Sequence, residues 1–221
     1  MHILIEYMHI LIESIDGAGK GTVIPVILDE LAKRNHEILS VAEPTHAGIG
    51  KFIREEIIAN HADGRRYSGL VTAQMFAIDR EVLYTQTILP WKQAHPDGVV
   101  VQDRGALSSL AYQPLQDPDV TLEWLLDLRG NRMELANAPD AIFILRIDPA
   151  EAERRLAGRQ DKQDNTVFDK RAFQEQLANR YLDPAIQSPY RAAGTKILVI
   201  DAGGTREEVA ERIVQALNAV L

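Results

Sequence analysis

The sequence predicts a doubly wound α/β fold, a five-stranded parallel sheet flanked by helices. Three observations carry this reading. Short apolar runs alternate with stretches of helical spacing along the chain, the order that parallel crossover units require. One run, Gly98-Val-Val-Val-Gln102, is continuous rather than alternating, as in strands buried on both faces. Another, Ile10-Leu-Ile12, leads through Ser14-Ile-Asp16-Gly17-Ala18-Gly19-Lys20-Gly21-Thr22 into a helical pattern. Strand, glycine-rich turn and helix in that order form the context of a phosphate-binding loop.

Gly17 and Gly19 let the backbone curl so that successive N–H groups face an anion. The helix start adds its dipole, and Lys20 adds a full charge over the outer phosphates. Two positions depart from G-x-x-x-x-G-K-[ST]: Ser14 replaces the first glycine, and Gly21 follows the lysine, with a hydroxyl only at Thr22. A plain Gly-rich strand-to-helix turn is the alternative. Lys20, in register after Gly19, favours phosphate binding and a fold of the P-loop NTPase type.

The remaining elements follow in order. Met1-His-Ile-Leu-Ile-Glu6 repeats as Met8-His-Ile-Leu-Ile-Glu13, and only the second copy, directly before the loop, suits the first core strand. Residues 23–31 space their apolar side chains for a buried helical face. Residues 36–41 read as a strand ended by Glu43-Pro44-Thr45. Residues 48–60 are helical in spacing, with Ile49, Phe52, Ile53 and Ile57 on one side, and 68–88 form a long helix. The strand at 98–102 delivers Asp103-Arg104. Residues 118–135 are helical, 141–147 a strand, and Asp148-Pro149 caps a helix through Leu156. Residues 168–190 are helical with a break at Pro184, and 196–200 form the last strand. Thr205-Arg-Glu-Glu208 is a capping box for the final helix. No Ser/Gly/Pro linker divides the chain, so residues 1–221 read as one domain, with a polar loop over 158–169.

Composition narrows the function. Hydrophobic residues make up 46% of the 221, enough for a substantial core, and no run approaches a membrane span. A net charge of −8 argues against a general nucleic-acid or membrane-surface binder. Any polyanion must be met by locally placed arginines. Cysteine is absent, which excludes disulfides and thiolate metal sites. No signal-peptide pattern opens the sequence, and the reading is a cytoplasmic protein.

Ligands of open parallel sheets collect at the carboxyl ends of strands, and the polar residues expected there are Asp16, Glu43, Asp103, Arg104 and Asp148. Asp148 is set aside as a helix cap. Asp103-Arg104 carries more weight, because a charged pair straight after Val99-Val-Val101 rarely serves packing, and arginine supplies a fork suited to phosphate oxygens. Phe76 and Arg80 share a helix face: either a ring to stack on a base with a guanidinium to bond its edge, or a core Phe beside a surface Arg paired with Glu81 or Asp79. The polar loop and its flank hold Arg159, Lys162, Lys170 and Arg171, cations that could close over phosphates. The six histidines show no ligand spacing.

Together these segments resemble thymidylate kinase, a nucleoside monophosphate kinase of the P-loop class. The resemblance runs from Ile10 to the last helix, through Asp16-Gly-Ala-Gly-Lys20, Glu43-Pro44-Thr45, Ile49-Gly50 with Ile53-Arg54-Glu55, Phe76-Ala-Ile-Asp79-Arg80, Asp103-Arg104, Ser108-Ser109-Leu-Ala-Tyr112-Gln113 and Pro139-Asp140. It implies transfer of the ATP γ-phosphoryl group to dTMP, a homodimer, and Mg²⁺ as cofactor. It implies that Asp16 bonds the sugar 3′-hydroxyl and that Arg54 and Arg104 hold the acceptor phosphate. Phe76 would stack on thymine, Arg80 and Ser109 would bond its edge, Tyr112 would exclude a 2′-hydroxyl, and Arg159 in the lid would supply the transition-state cation. The sequence departs from the family at Gly21, at Ala42 in place of an arginine, at Gly105 in place of an aromatic or histidine, and at Pro25 inside the first helix. With Gly21 offering no hydroxyl, Mg²⁺ is expected on phosphates and waters, with Asp103 reaching it only through water. A kinase of dUMP, UMP or AMP, and a binding module without activity, are the rival readings; no Asn-Lys-x-Asp guanine motif supports a GTPase.

Overall fold

The apolar runs pair edge to edge, all parallel, into one five-stranded sheet. The computed structural model describes residues 8–59, 66–158 and 171–221. The first MHILIE copy, residues 159–169 of the lid loop with Arg159 and Lys162, and the flanking Lys170 lie outside the described residues. The strands are β1 (Met8–Ser14), β2 (Ile38–Ala42), β3 (Val99–Asp103), β4 (Ala141–Arg146) and β5 (Lys196–Asp201), in the spatial order β2-β3-β1-β4-β5. Val99, Val100 and Val101 are all buried, as a strand covered on both faces demands. From β3 the chain passes over β1 to reach β4. The direction of winding therefore reverses beside β1, and a crevice opens at its carboxyl end.

Helix α1 (Lys20–Lys33) buries Val23, Ile27 and Leu31, one face at four-residue spacing, and runs through the exposed Pro25 as a single element. Next, α2 (Gly48–Phe52) passes into a wider, π-helical turn over Ile53–Ile57 that carries Arg54. Helix α3 (Gly69–Leu83) starts on the Ser68 hydroxyl, which accepts from Val71 N at 3.3 Å. A second π-helical turn, Tyr84–Ile88, joins it to α4 (Leu89–Ala94).

Helix α5 (Ala106–Gln116) was not expected from the sequence. It has no cap of its own, because its first N–H groups go to distant carboxylates. Glu13 accepts from Gly105 N at 2.9 Å and Ser108 N at 3.1 Å, and Glu134 accepts from Ala106 N at 3.0 Å. A start signal supplied from other elements leaves no local trace.

The single helix expected over 118–135 is two, α6 (Leu122–Asp127) and α7 (Arg129–Ala136), broken at the extended Leu128. Asp148 caps α8 (Pro149–Ala157), accepting from Ala150 N at 2.7 Å. Then come α9 (Arg171–Tyr181), α10 (Pro184–Ala192), which opens at Pro184, and α11 (Arg206–Asn218), which starts on the expected Thr205–Glu208 capping box. No described helix is long and apolar enough to cross a membrane.

Candidate active site

The loop after β1 is shaped by its glycines. Gly17 and Gly19 sit at φ 82° and 96°, left-handed values that an L side chain adopts at a cost. A Cβ on Gly17 would also meet Ala152 O at 2.5 Å. Gly19 precedes α1, whose N-terminus receives no side-chain cap from the described residues, so its N–H groups face the crevice as an anion cradle. Ala18 is buried within the loop. Gly21 faces open space, and the exposed Thr22 lines a cleft of about 510 Å³ together with Gly17, Ala18 and Gly19. That cleft also takes in Arg154 and Arg155 of α8 and the Gly204-Thr205 turn after β5.

Lys20 points into the crevice. Its Nζ donates to Ser14 Oγ at 3.1 Å and lies 3.9 Å from Asp103 Oδ1. Burial pushes the Lys20 ammonium below its ordinary range and Arg104 adds to the effect, while Asp103, Asp16 and Glu13 oppose it. An ammonium desolvated beside another cation is set to gain from a polyanionic ligand.

Arg104 follows β3 with φ 67°, a left-handed turn that sends its guanidinium back over β1. It meets Asp16 Oδ1 at 2.5 Å, Ser14 O at 3.0 Å, and the Ser108 and Tyr181 hydroxyls at 3.2 Å each. It also lies 5.3 Å from the centre of the Tyr112 ring. Tyr112 OH donates to Asp16 Oδ2 at 3.4 Å. Burial works to raise the Asp16 carboxyl, but Arg104 and Lys20 outweigh it and hold it below its usual value. Arg54 reaches the Pro44 and Thr45 carbonyls and interacts electrostatically with both Asp103 and Arg104. The structure therefore brings Asp16, Lys20, Arg54, Asp103, Arg104 and Tyr112 together at one crevice.

Arg80 corrects the plainer reading of its helix face. It is not a surface residue paired with Glu81 or Asp79 but is fully buried. Its Nε and Nη2 bond the two Glu43 oxygens at 3.2 and 2.5 Å, Glu134 lies 3.3 Å away, Asn131 accepts from Nη1, and Ser109 Oγ is at 3.4 Å. Glu81 pairs with Arg129 instead, and Asp79 holds the Thr45 N–H and hydroxyl at 2.7 and 2.6 Å. Phe76, one turn earlier, is half-buried. Burial raises the Glu43 carboxyl to about 8 against the pull of Arg80, and Glu134 adds to the rise. Gly105 explains itself here, since a Cβ would come within 2.7 Å of the Glu134 carboxylate.

The crevice pairs an anion cradle and a lysine with a second cationic site across Asp103, the layout needed to bring two phosphates into line. A family model described as Thymidylate kinase matches residues 12–213. The chain belongs to the thymidylate kinase family. It is 36% identical over 187 residues to a protein of Thermococcus onnurineus named "Probable thymidylate kinase", covering 82% of this chain and 86% of the relative. It is 34% identical over 210 residues to the protein of that name from Thermococcus gammatolerans, covering 93% of each. The Thermococcus kodakarensis protein is 33% identical over 219 residues, covering 97% and 98%. Thymidylate kinases are ATP-dependent phosphotransferases, and the expected enzyme class stands.

Sequence reasoning missed several residues of this thymidylate-kinase site. Glu13, at the end of a strand pattern, accepts from Ser108 Oγ at 2.6 Å and Tyr181 OH at 3.0 Å and so braces two of the four groups that Arg104 bonds. Gln174 bonds Asp16 N at 3.4 Å from a helix far along the chain. Arg155 falls within the helix expected through Leu156, and Gly204 is assigned no role by the sequence. The Ala202-Gly-Gly204 run at a strand's carboxyl end was the available signal for the outer cleft.

Proposed function

We propose that the protein transfers the γ-phosphoryl group of ATP to dTMP, giving dTDP and ADP. The observation that carries this reading is Asp103, with the donor-side Lys20 at 3.9 Å and the acceptor-side Arg104 as its chain neighbour. In this reading ATP lays its nucleoside end in the outer cleft along Thr22, Arg155 and Gly204, and its outer phosphates on residues 16–22 beneath Lys20. Arg104 and Arg54 hold the acceptor phosphate, Asp16 bonds the sugar hydroxyl, and Tyr112 crowds the sugar. An acceptor phosphate oxygen forms the new bond to the γ-phosphorus as the bond to the bridging oxygen of ADP breaks. The residues contribute position and charge, with no covalent intermediate.

The described residues hold no group of three His, Cys, Asp or Glu suited to a metal cage, but Asp103 Oδ1 is a buried atom without a hydrogen-bond partner. This fits Mg²⁺ arriving on the nucleotide, where it would neutralise phosphate charge, with Asp103 taking one of its waters. Since Thr22 lines the outer cleft and Gly21 has free space, Thr22→Val should leave the Mg²⁺ dependence of kcat within about twofold, and Gly21→Ser should remain active. A Mg²⁺ titration checks both, and collapse of Thr22→Val alone would make Thr22 a direct ligand.

The homodimer implied by the family is supported by an apolar stripe. Val71, Ile78 and Val82, 40–45% exposed, lie at helical spacing on α3, with Phe52 at 43% on α2. Ile78→Glu is expected to convert a dimer to a monomer in light scattering, and an unchanged mass would remove this face as the interface. The acceptor is tested by ADP release across dTMP, dUMP, UMP and AMP. Turnover should be fastest with dTMP and negligible without an acceptor; a preference for another monophosphate overturns the assignment.

A further inference from the structure

We propose that Gln102 is a positioning residue for the acceptor half of the site, and that the buried His9 locks its amide in the working orientation. The inference rests on the reading of Arg104 and Arg80 as acceptor-side residues. Gln102 is fully buried near the end of β3, immediately before Asp103-Arg104, and makes three hydrogen bonds. Its Nε2 donates to Glu43 Oε1 at 3.1 Å and to Arg104 O at 2.9 Å. Its Oε1 lies 2.9 Å from His9 Nε2.

Only one arrangement of protons satisfies these contacts. An amide oxygen can only accept, so His9 carries its proton on Nε2, and Nδ1 is left to accept from Lys92 Nζ at 3.3 Å. Burial and Lys92 both push the His9 imidazole well below its ordinary value, in keeping with a neutral ring. A flipped amide would set its oxygen against the Glu43 carboxylate and the Arg104 carbonyl, and its NH₂ against the donor face of His9. The imidazole thereby decides which end of Gln102 faces the site.

Each Gln102 donor serves a different acceptor-side cation. The bond to Arg104 O, with Arg104 N donating to Ile12 O at 3.0 Å, pins both backbone groups of the left-handed residue whose guanidinium meets Asp16. The bond to Glu43 steadies the carboxylate that grips Arg80. No donor reaches the outer cleft, so the effect should fall on one substrate.

Gln102→Met keeps the length and unbranched shape but removes all three bonds. It should raise the dTMP KM about tenfold, the size of one or two lost buried hydrogen bonds, and leave the ATP KM within about twofold. His9→Phe keeps both Gln102 donors and removes their brace, together with the Lys92 contact on the far side of the ring, so the same KM should rise by less, about threefold. If Gln102→Met does not fold, as judged by circular dichroism, the selective shift in His9→Phe carries the test. An unchanged dTMP KM, or equal rises for both substrates, overturns the proposal and leaves Gln102 a packing residue. Arg104→Ala run alongside separates the two failures. If it raises the dTMP KM while Gln102→Met does not, the positioning role alone falls; if neither does, the acceptor reading falls with it.

Discussion

Lys20→Ala is expected to lower kcat by about two orders of magnitude or more, the usual size of a lost electrostatic contact to a reacting phosphoryl group. The fold should survive. Without ligand, the ammonium is buried and pushed below its ordinary range with Arg104 nearby. Its one described hydrogen bond goes to Ser14 Oγ, which also donates to Ile15 O at 2.8 Å. Removing it breaks no further described hydrogen bond, although Asp103 Oδ1 loses its cation at 3.9 Å. Coupled ADP release together with thermal denaturation checks both halves. Near-normal turnover would show that Lys20 does not face the transferred group, whatever happens to the melting temperature.

Arg80→Met should act first on stability. Glu43 and Glu134, both buried, lose the guanidinium between them, and an uncompensated buried carboxylate costs about 3–5 kcal/mol. For a chain of this size that corresponds to a Tm lower by about 10 °C. The loss should be greatest above about pH 8 and level off below it. Burial already raises the Glu43 carboxyl to about 8 and raises it further without Arg80, so the variant takes up its proton at a higher pH than the parent, and below about 8 both folded proteins carry it. In the fraction still folded at low temperature, the dTMP KM should rise more than that of ATP. A Tm unchanged at pH 8 would mean that this cage does not form.

Those two residues show what sequence alone could reach. Lys20 was legible because its signal is local: strand, two glycines and lysine in fixed register. The five strands were legible for a similar reason, since an apolar run needs no partner to declare itself. The partners of Arg80 were not, because Glu43 follows β2 while Asn131 and Glu134 sit on α7, and only the tertiary fold joins them. Helix α5 was lost the same way, its first N–H groups met by Glu13 and Glu134 rather than by a residue ahead of it. The break at Leu128 had no glycine or proline to announce it.

The sheet order has a consequence for how such an enzyme can change. Apart from Asp16, the residues proposed for the acceptor side come from Glu43 to Tyr112, on β2, β3 and the helices beside them, whereas the outer cleft is lined by the loop after β1 and by residues from Glu151 onward. Tyr181, Arg180 and Phe173 reach from the second region into the first, against Arg104, Leu110 and Tyr112. Preference for the phosphate receiver and preference for the phosphate giver are thus written in separate stretches of chain. Variation between residues 43 and 112 can be selected for a new receiver while the giver's pocket is inherited intact, and chimaeras that exchange residues 43–112 as a block should change one preference without the other.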